Sequence, residues 1–406
     1  MIVGMSQLAR VEPGEAGFDP DRLSRVTRFV EDEIAAGRLP GAVLGIVRGG
    51  RIAHFEALGH RDPQRGVPMT ADTLFWIASM TKPITTVGAL LLHEQGRLVL
   101  DIPIGDHLPQ FADRRVADLA AWPGEGAPIP TRAAARQPTI LDLLRHTAGI
   151  PEGMLGDSPV HALYTDAVGD GMTTLTGPEY LDRLSGLPLL HDPGTTWHYG
   201  FGLDLLGLII ESIAGESLGA YLRSRVFEPL GMHDTTFGVP EDRRDRYAAA
   251  FPADPETGAP QELPDLSVAA FDSGGAGLVS TAADYLRFVQ LLLAGGDADT
   301  GRLLGRKTVD YMLADQLDQD TDVRRLARPG WNPGHGFGLG LAVRRRQGGA
   351  STPGSVGEVT WPGAAGTNWW ADPAEDLGVV FMAHTPSRIQ SHYQQQIKAL
   401  VLQALV

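Results

Sequence analysis

The residues FWIASMTKP, numbers 75–83, set a serine, Ser79, three positions before a lysine, Lys82, directly after an apolar run. In a helix beginning near Ser79 these two side chains share one face, so the amine reaches the hydroxyl. A serine hydroxyl becomes an effective nucleophile only when a neighbouring base takes its proton. A lysine serves as that base if its pKa falls, which burial beside the positive end of a helix dipole promotes. Pro83 suits the first turn, where its missing N–H has no intrahelical acceptor to lose. The competing reading makes Ser79 an N-cap and Lys82 a solvated first-turn residue, although a cation there opposes the dipole. The chain has 15 serines and three lysines, Lys82, Lys307 and Lys398, in 406 residues. Chance alone supplies Ser-x-x-Lys about 0.1 times in such a chain.

That length allows two domains, or one large domain with an inserted lobe. A hydrophobic share of 43% and a charged share of 20% are normal for a globular core. The net charge of −15 opposes nucleic-acid or anionic-membrane partners. No apolar run has the length of a membrane span, and the N-terminus lacks the basic-then-apolar pattern of a secretion signal. With no cysteine, disulfides, thiol nucleophiles and thiolate metal sites are excluded. A cytoplasmic location is the expectation.

Working outward, residues 20–37 carry Leu23, Val26, Val30 and Ile34 at helical spacing, with Asp19 as N-cap and Gly37 as stop. Residues 42–59 read as two strands turning at Gly49-Gly50. A helix runs on from the Ser79 stretch to Gly96, and from about 100 to 330 the pattern is mainly helical with Pro- and Gly-rich loops. Helices are predicted at 139–146, 177–184, 202–215, 217–227 and 281–296. After 335 the stretches GHGFGLGLAVRR, GEVTWPGAAGTNWWADP and LGVVFMAH predict three antiparallel strands, and the C-terminal residues a closing helix. The expected fold is α+β: an α/β lobe with an antiparallel sheet from both chain ends, residues 1–75 and 335–406, and a mainly helical lobe, residues 76–334. A cleft would lie at their junction.

Two further stretches bear on chemistry. In WHYGFG, residues 197–202, Tyr199 stands between an extended segment and a helix. A tyrosine there relays protons if a lysine lowers its pKa, and otherwise packs the helix entrance. In EVTWPGAAGTNWWADP, residues 358–373, glycines permit close backbone approach, and a strand edge can offer an N–H to an oxyanion. The plainer reading is a bend, with Trp369 and Trp370 packing the two sheet faces. GHGFGLG lacks the strand-then-helix setting of a phosphate loop. The 12 histidines contain no His-Glu-x-x-His, so no metal and no cofactor are expected. His198 is expected to line the cleft, and Arg344–Arg346 to mark a solvated strand end.

With these stretches, LLRHTAGIP (143–151), PGTTWHYG (193–200), VFEPLGMHDTTF (226–237), GGAGLVSTAADYLRF (274–288) and GHGFGLGLAV (334–343) follow in an order that resembles the serine β-lactamase-like superfamily. Penicillin-binding proteins and class C β-lactamases belong to it, and the chain is most similar to its family VIII carboxylesterases. The resemblance implies Ser79 as acylated nucleophile, Lys82 as its hydrogen-bonded partner and Tyr199 as proton shuttle. It implies that Trp361-Pro362-Gly363 is the third motif, with Trp361 and Gly363 binding substrate. Ala364 then donates an oxyanion N–H beside that of Ser79.

Two departures bear on substrate. Gly200-Phe201 replaces the asparagine that holds a substrate amide in β-lactamases, and Trp361 replaces a lysine that binds the β-lactam carboxylate. A missing cation weakens anionic substrates by about 1.5–3 kcal/mol, and an indole offers an apolar wall instead. Hydrolysis of short- to medium-chain esters is therefore favoured, with a small-molecule ester as the partner. β-Lactamase, D-peptidase, amide hydrolase and acyltransferase activities stay open, as does a non-catalytic binding role.

Overall fold

Gly49 and Gly50, at φ 59° and 68°, turn the chain between β1 (Gly41–Arg48) and β2 (Arg51–Asp62). Two consecutive left-handed residues match the twist of the flanking strands, and glycine adopts them without steric cost. The computed structural model describes residues 8–169, 171–266, 270–317, 334–386 and 389–406. The sheet continues through β3 (Val67–Pro68) on one side. On the other lie five C-terminal strands: β4 (His335–Phe337), β5 (Ala342–Arg344), β6 (Val359–Thr360), β7 (Asn368–Asp372) and β8 (Leu377–Met382). The order is β4-β5-β6-β7-β8-β1-β2-β3, so the chain ends meet at β8 and β1, with Val43 opposite Met382 and Arg48 opposite Leu377.

Period-two alternation gives each face of the sheet its own core. Leu44, Ile46, Val379, Phe381 and Trp370 pack against α1 (Pro20–Ala35) and the C-terminal helix Ile389–Leu402. Asp19 caps α1 by accepting the Arg22 N–H at 3.0 Å. Val43, Val47, Trp369 and Val380 face the opposite core, where the helix Ala282–Leu293 lies against the sheet. Its Leu286 presses on Gly45 and its Val289 on Gly378, where any Cβ would collide. That helix falls inside the stretch 76–334 yet packs on the sheet.

The same core runs on into the helical region around α2 (Thr81–Glu94), whose residues from Thr81 to Leu92 are all buried. A helix buried on every side is a core helix, and this one begins directly after Ser79–Met80.

Several predicted elements differ in detail. GHGFGLGLAVRR forms the hairpin β4–β5, not one strand. Gly340 turns at φ 73° and sits so near Thr86 that a side chain would collide. Trp361–Thr367 is a loop between β6 and β7. The helices Pro159–Val168 and Arg306–Leu313 were not predicted, although Ser158 caps the first by accepting the His161 N–H and its Val160, Tyr164 and Val168 recur every fourth residue. Arg344 is not a solvated strand end: it is buried, donates to the Pro353 and Thr352 carbonyls and faces Glu358 at 3.7 Å.

His384, just past β8, locks this frame to the strand Phe75–Trp76. Its Nε2 accepts the Trp76 N–H at 3.0 Å, and its Nδ1–H donates to the Ala248 carbonyl at 2.8 Å. That pattern needs a neutral ring, and burial pushes its pKa down from 6.5 to about 4. The unfolded chain binds this proton more readily, so the contribution is complete above pH 6.5 and is lost as pH falls through about 4. The loss approaches about 3 kcal/mol. A His384→Gln variant, which keeps a donor and an acceptor without titrating, should lose less unfolding free energy between pH 7 and pH 4.5 in urea titrations. An unchanged pH slope would remove His384 from this role.

Candidate functional site

Ser79 sits in the tight turn Ala78–Met80 between the strand Phe75–Trp76 and α2. Ala78 takes φ 44°, a left-handed conformation costing an alanine about 1–3 kcal/mol. The surroundings hold it: Ile77 N–H donates to Leu278 O at 3.0 Å, Trp76 Nε1–H to Ala276 O at 2.6 Å, and Tyr285 Oη–H to Met80 O at 2.9 Å. The competing N-cap reading of Ser79 fails, since its hydroxyl meets side chains instead. Tyr199 Oη donates to Ser79 Oγ at 2.6 Å, and Lys82 Nζ donates to it at 3.3 Å.

Lys82 is only 3% exposed, and its Nζ also donates to the Gly275 carbonyl at 2.8 Å and lies 4.6 Å from the Tyr199 ring centre. Asp204, in the first turn of the helix Gly202–Ala214 that follows Tyr199, accepts from Ser273 Oγ at 2.5 Å and Gly275 N–H at 3.2 Å, and so braces the carbonyl that Lys82 uses. Burial depresses the Lys82 pKa, but the negative charges of ionised Tyr199, Asp204 and Glu152 outweigh it, and the net direction is upward. This corrects the expectation of a lowered lysine: the counter-charge of Asp204 is 122 residues away in sequence and was not anticipated. Tyr199 is also raised, by burial first, with Lys82 and the Ser79 hydrogen bond pulling the other way. The resting site thus holds an ammonium and a phenol, and the ammonium favours the phenolate over what burial alone would allow.

The third motif arrives from the far end of the chain. Gly363 N–H donates to Thr367 O at 2.8 Å, and Thr367 Oγ1 lies 3.5 Å from Ile77 O. The loop therefore lies against a residue only two positions before Ser79, and a Cβ on Gly363 would stand 2.4 Å from Ile77 O. Ala364 is exposed at its tip, and among the described residues neither its N–H nor that of Ser79 is engaged in a hydrogen bond. Trp361 is buried, not an open wall: its ring lies 5.2 Å from that of Tyr199 and 5.0 Å from that of Phe337.

His198 departs from its expected place. Neighbouring residues of an extended segment point opposite ways, so as Tyr199 faces Ser79, His198 turns to His161, with Nε2 atoms 2.9 Å apart. Burial, His161 and His191 push its pKa down to about 4. Among the described residues no group of three or more histidines and carboxylates is arranged to hold a metal. Sequence reading missed Asp204, Ser273 and Gly275; the Gly274-Gly275 doublet was the available signal, since a Cβ on Gly275 would strike the Asp204 carboxylate.

A protein-family profile described as Beta-lactamase matches residues 26–403. An uncharacterized protein of Mycobacterium tuberculosis is 37% identical over 360 residues, covering 86% of this chain and 87% of that protein. Esterase EstB of Burkholderia gladioli is 31% identical over 398 residues, covering 93% and 94%. Among solved structures, EstCE1, described as a hydrolase with promiscuous acyltransferase activity, superposes with a TM-score of 0.77 at 29% identity, covering 94% of this chain and 98% of that one.

The packing of Gly363 makes a direct prediction. In Gly363→Ala the new methyl must displace the loop from Ile77, and misplacement on the order of 1 Å should cut kcat/KM about 100-fold. Circular dichroism should stay near wild type, with the melting temperature lowered only modestly. Activity within about threefold of wild type would show that the loop need not lie this close.

Proposed function

The chain belongs to the beta-lactamase family, and from that premise we propose that it is a carboxylesterase of the family VIII type, acting through a Ser79 acyl-enzyme. The observation that carries the reading is the convergence of Tyr199 Oη at 2.6 Å and Lys82 Nζ at 3.3 Å on Ser79 Oγ. Esterase EstB and the hydrolase EstCE1 support the ester as substrate. So does Trp361, which leaves an uncharged ring beside Tyr199 where the β-lactamases the chain resembles place a lysine for the β-lactam carboxylate.

The mechanism has two halves. Loss of one proton from the Lys82–Tyr199 couple leaves a phenolate beside an ammonium. The phenolate takes the Ser79 proton as Oγ attacks the ester carbonyl. The oxyanion is held by the N–H groups of Ser79 and Ala364. Collapse breaks the C–O bond to the alcohol, and Tyr199 returns the proton to that leaving oxygen. Water then attacks the acyl-enzyme by the same relay, releasing the acid and restoring Ser79. An alcohol in place of water gives acyl transfer, a second reading that the description of EstCE1 favours.

Steady-state rates on p-nitrophenyl esters of increasing acyl length, beside nitrocefin, test this with wild type and Ser79→Ala. Ester turnover should exceed nitrocefin turnover and fall by at least about 1,000-fold in Ser79→Ala. Faster nitrocefin cleavage would favour a β-lactamase. Because Lys82 and Tyr199 are both raised from 10.5 and 10.0, the couple keeps both protons at neutral pH. Hence log kcat/KM should climb with a slope of about one from pH 7 to pH 9. A plateau already reached at pH 7 would contradict the phenolate route.

A further inference from the structure

His146 has no part in the mechanism above, yet it grips the segment that carries Tyr199 on both sides. Its carbonyl accepts the N–H of His198 at 2.8 Å, and its Nδ1 accepts the N–H of Gly200 at 3.3 Å. Between these two hydrogen bonds its ring packs 4.6 Å from the Tyr199 ring, with the rings of Phe337 at 5.2 Å and Trp361 at 6.5 Å closing the other sides. The residue is 2% exposed and stands at φ 56°, in the left-handed region that Asn, Asp and His enter more readily than most side chains. Gly200 itself is tightly packed: a Cβ there would stand 1.8 Å from the Ile150 carbonyl oxygen, so no larger residue fits beside this hydrogen bond.

We infer that His146 is a positioning residue, whose neutral imidazole and carbonyl together hold the Tyr199 hydroxyl on Ser79. An acceptor at Nδ1 requires the ring proton at Nε2, which has no hydrogen-bond partner among the described residues. A second ring proton would remove the Gly200 hydrogen bond and add a charge near Lys82, and burial together with Lys82 opposes it. The histidine thereby ties three consecutive residues, His198, Tyr199 and Gly200, to the chain that follows the helix Ile140–Leu144. A phenol displaced by half an ångström would still pack but would lose its aim at the nucleophile.

The inference rests on the Ser79 acyl-enzyme reading, and its test separates the two. His146→Gly keeps the backbone conformation but removes the ring, His146→Leu keeps bulk without the acceptor, and His146→Asn keeps an acceptor and tolerates the left-handed φ. Each is compared with wild type for kcat and KM on a p-nitrophenyl ester, for the rate of Ser79 labelling by a fluorophosphonate, and for melting temperature. The Gly and Leu variants should lose about 10- to 100-fold in kcat and in labelling rate, with KM within about threefold. His146→Asn should recover to within about fivefold of wild type. A folded Leu or Gly variant that labels and turns over within twofold of wild type overturns the inference alone. Losses that follow the melting temperature, with no rescue by Asn, overturn it too. Wild type that does not label at Ser79 overturns the acyl-enzyme reading, and the inference with it.

Discussion

The Lys82 ammonium is buried in the core between α2 and Tyr199, and a buried charge of this kind is costly unless it is paired and hydrogen-bonded. Much of the site can be understood as the answer to that cost. The Gly275 carbonyl accepts one of its protons, Asp204 supplies counter-charge and fixes Gly275, and the Tyr199 ring lies against it. The turn that presents Gly275 also carries Ala276, whose carbonyl anchors Trp76 ahead of Ser79. The device that satisfies the lysine therefore also aims the serine.

In the proposed mechanism this arrangement leaves the base role to Tyr199, where the sequence reading has Lys82 and Tyr199 share it. A lysine lowered by burial could have taken the Ser79 proton itself, but Asp204 and Glu152 hold it cationic. Its contribution becomes a fixed positive charge that favours the phenolate. The aromatic ring of Trp361, from the loop between two C-terminal strands, completes the surroundings of Tyr199, so the site draws on segments far apart in the chain.

Much of this was legible in the sequence because it is written in short range. The Gly49-Gly50 hairpin, the Asp19 cap, the Ser79–Lys82 spacing and the opposite faces of Trp369 and Trp370 each depend on neighbours in the chain. What was missed depends on tertiary pairing. The upward direction of the Lys82 shift comes from Tyr199, Asp204 and Glu152 together, the turning of His198 from His161, and the burial of Arg344 from its pairing with Glu358. The strand expected at Trp361-Pro362-Gly363 became a loop, because its Gly363 N–H bonds back to Thr367 instead of to a neighbouring strand.

Quenching the protein during turnover of a slow ester and mapping the acyl group by peptide mass spectrometry tests the central claim most directly. The account predicts one added acyl mass, on the peptide containing Ser79, and none in Ser79→Ala. Turnover that persists in Ser79→Ala, or an acyl group mapped to a different residue, would contradict it.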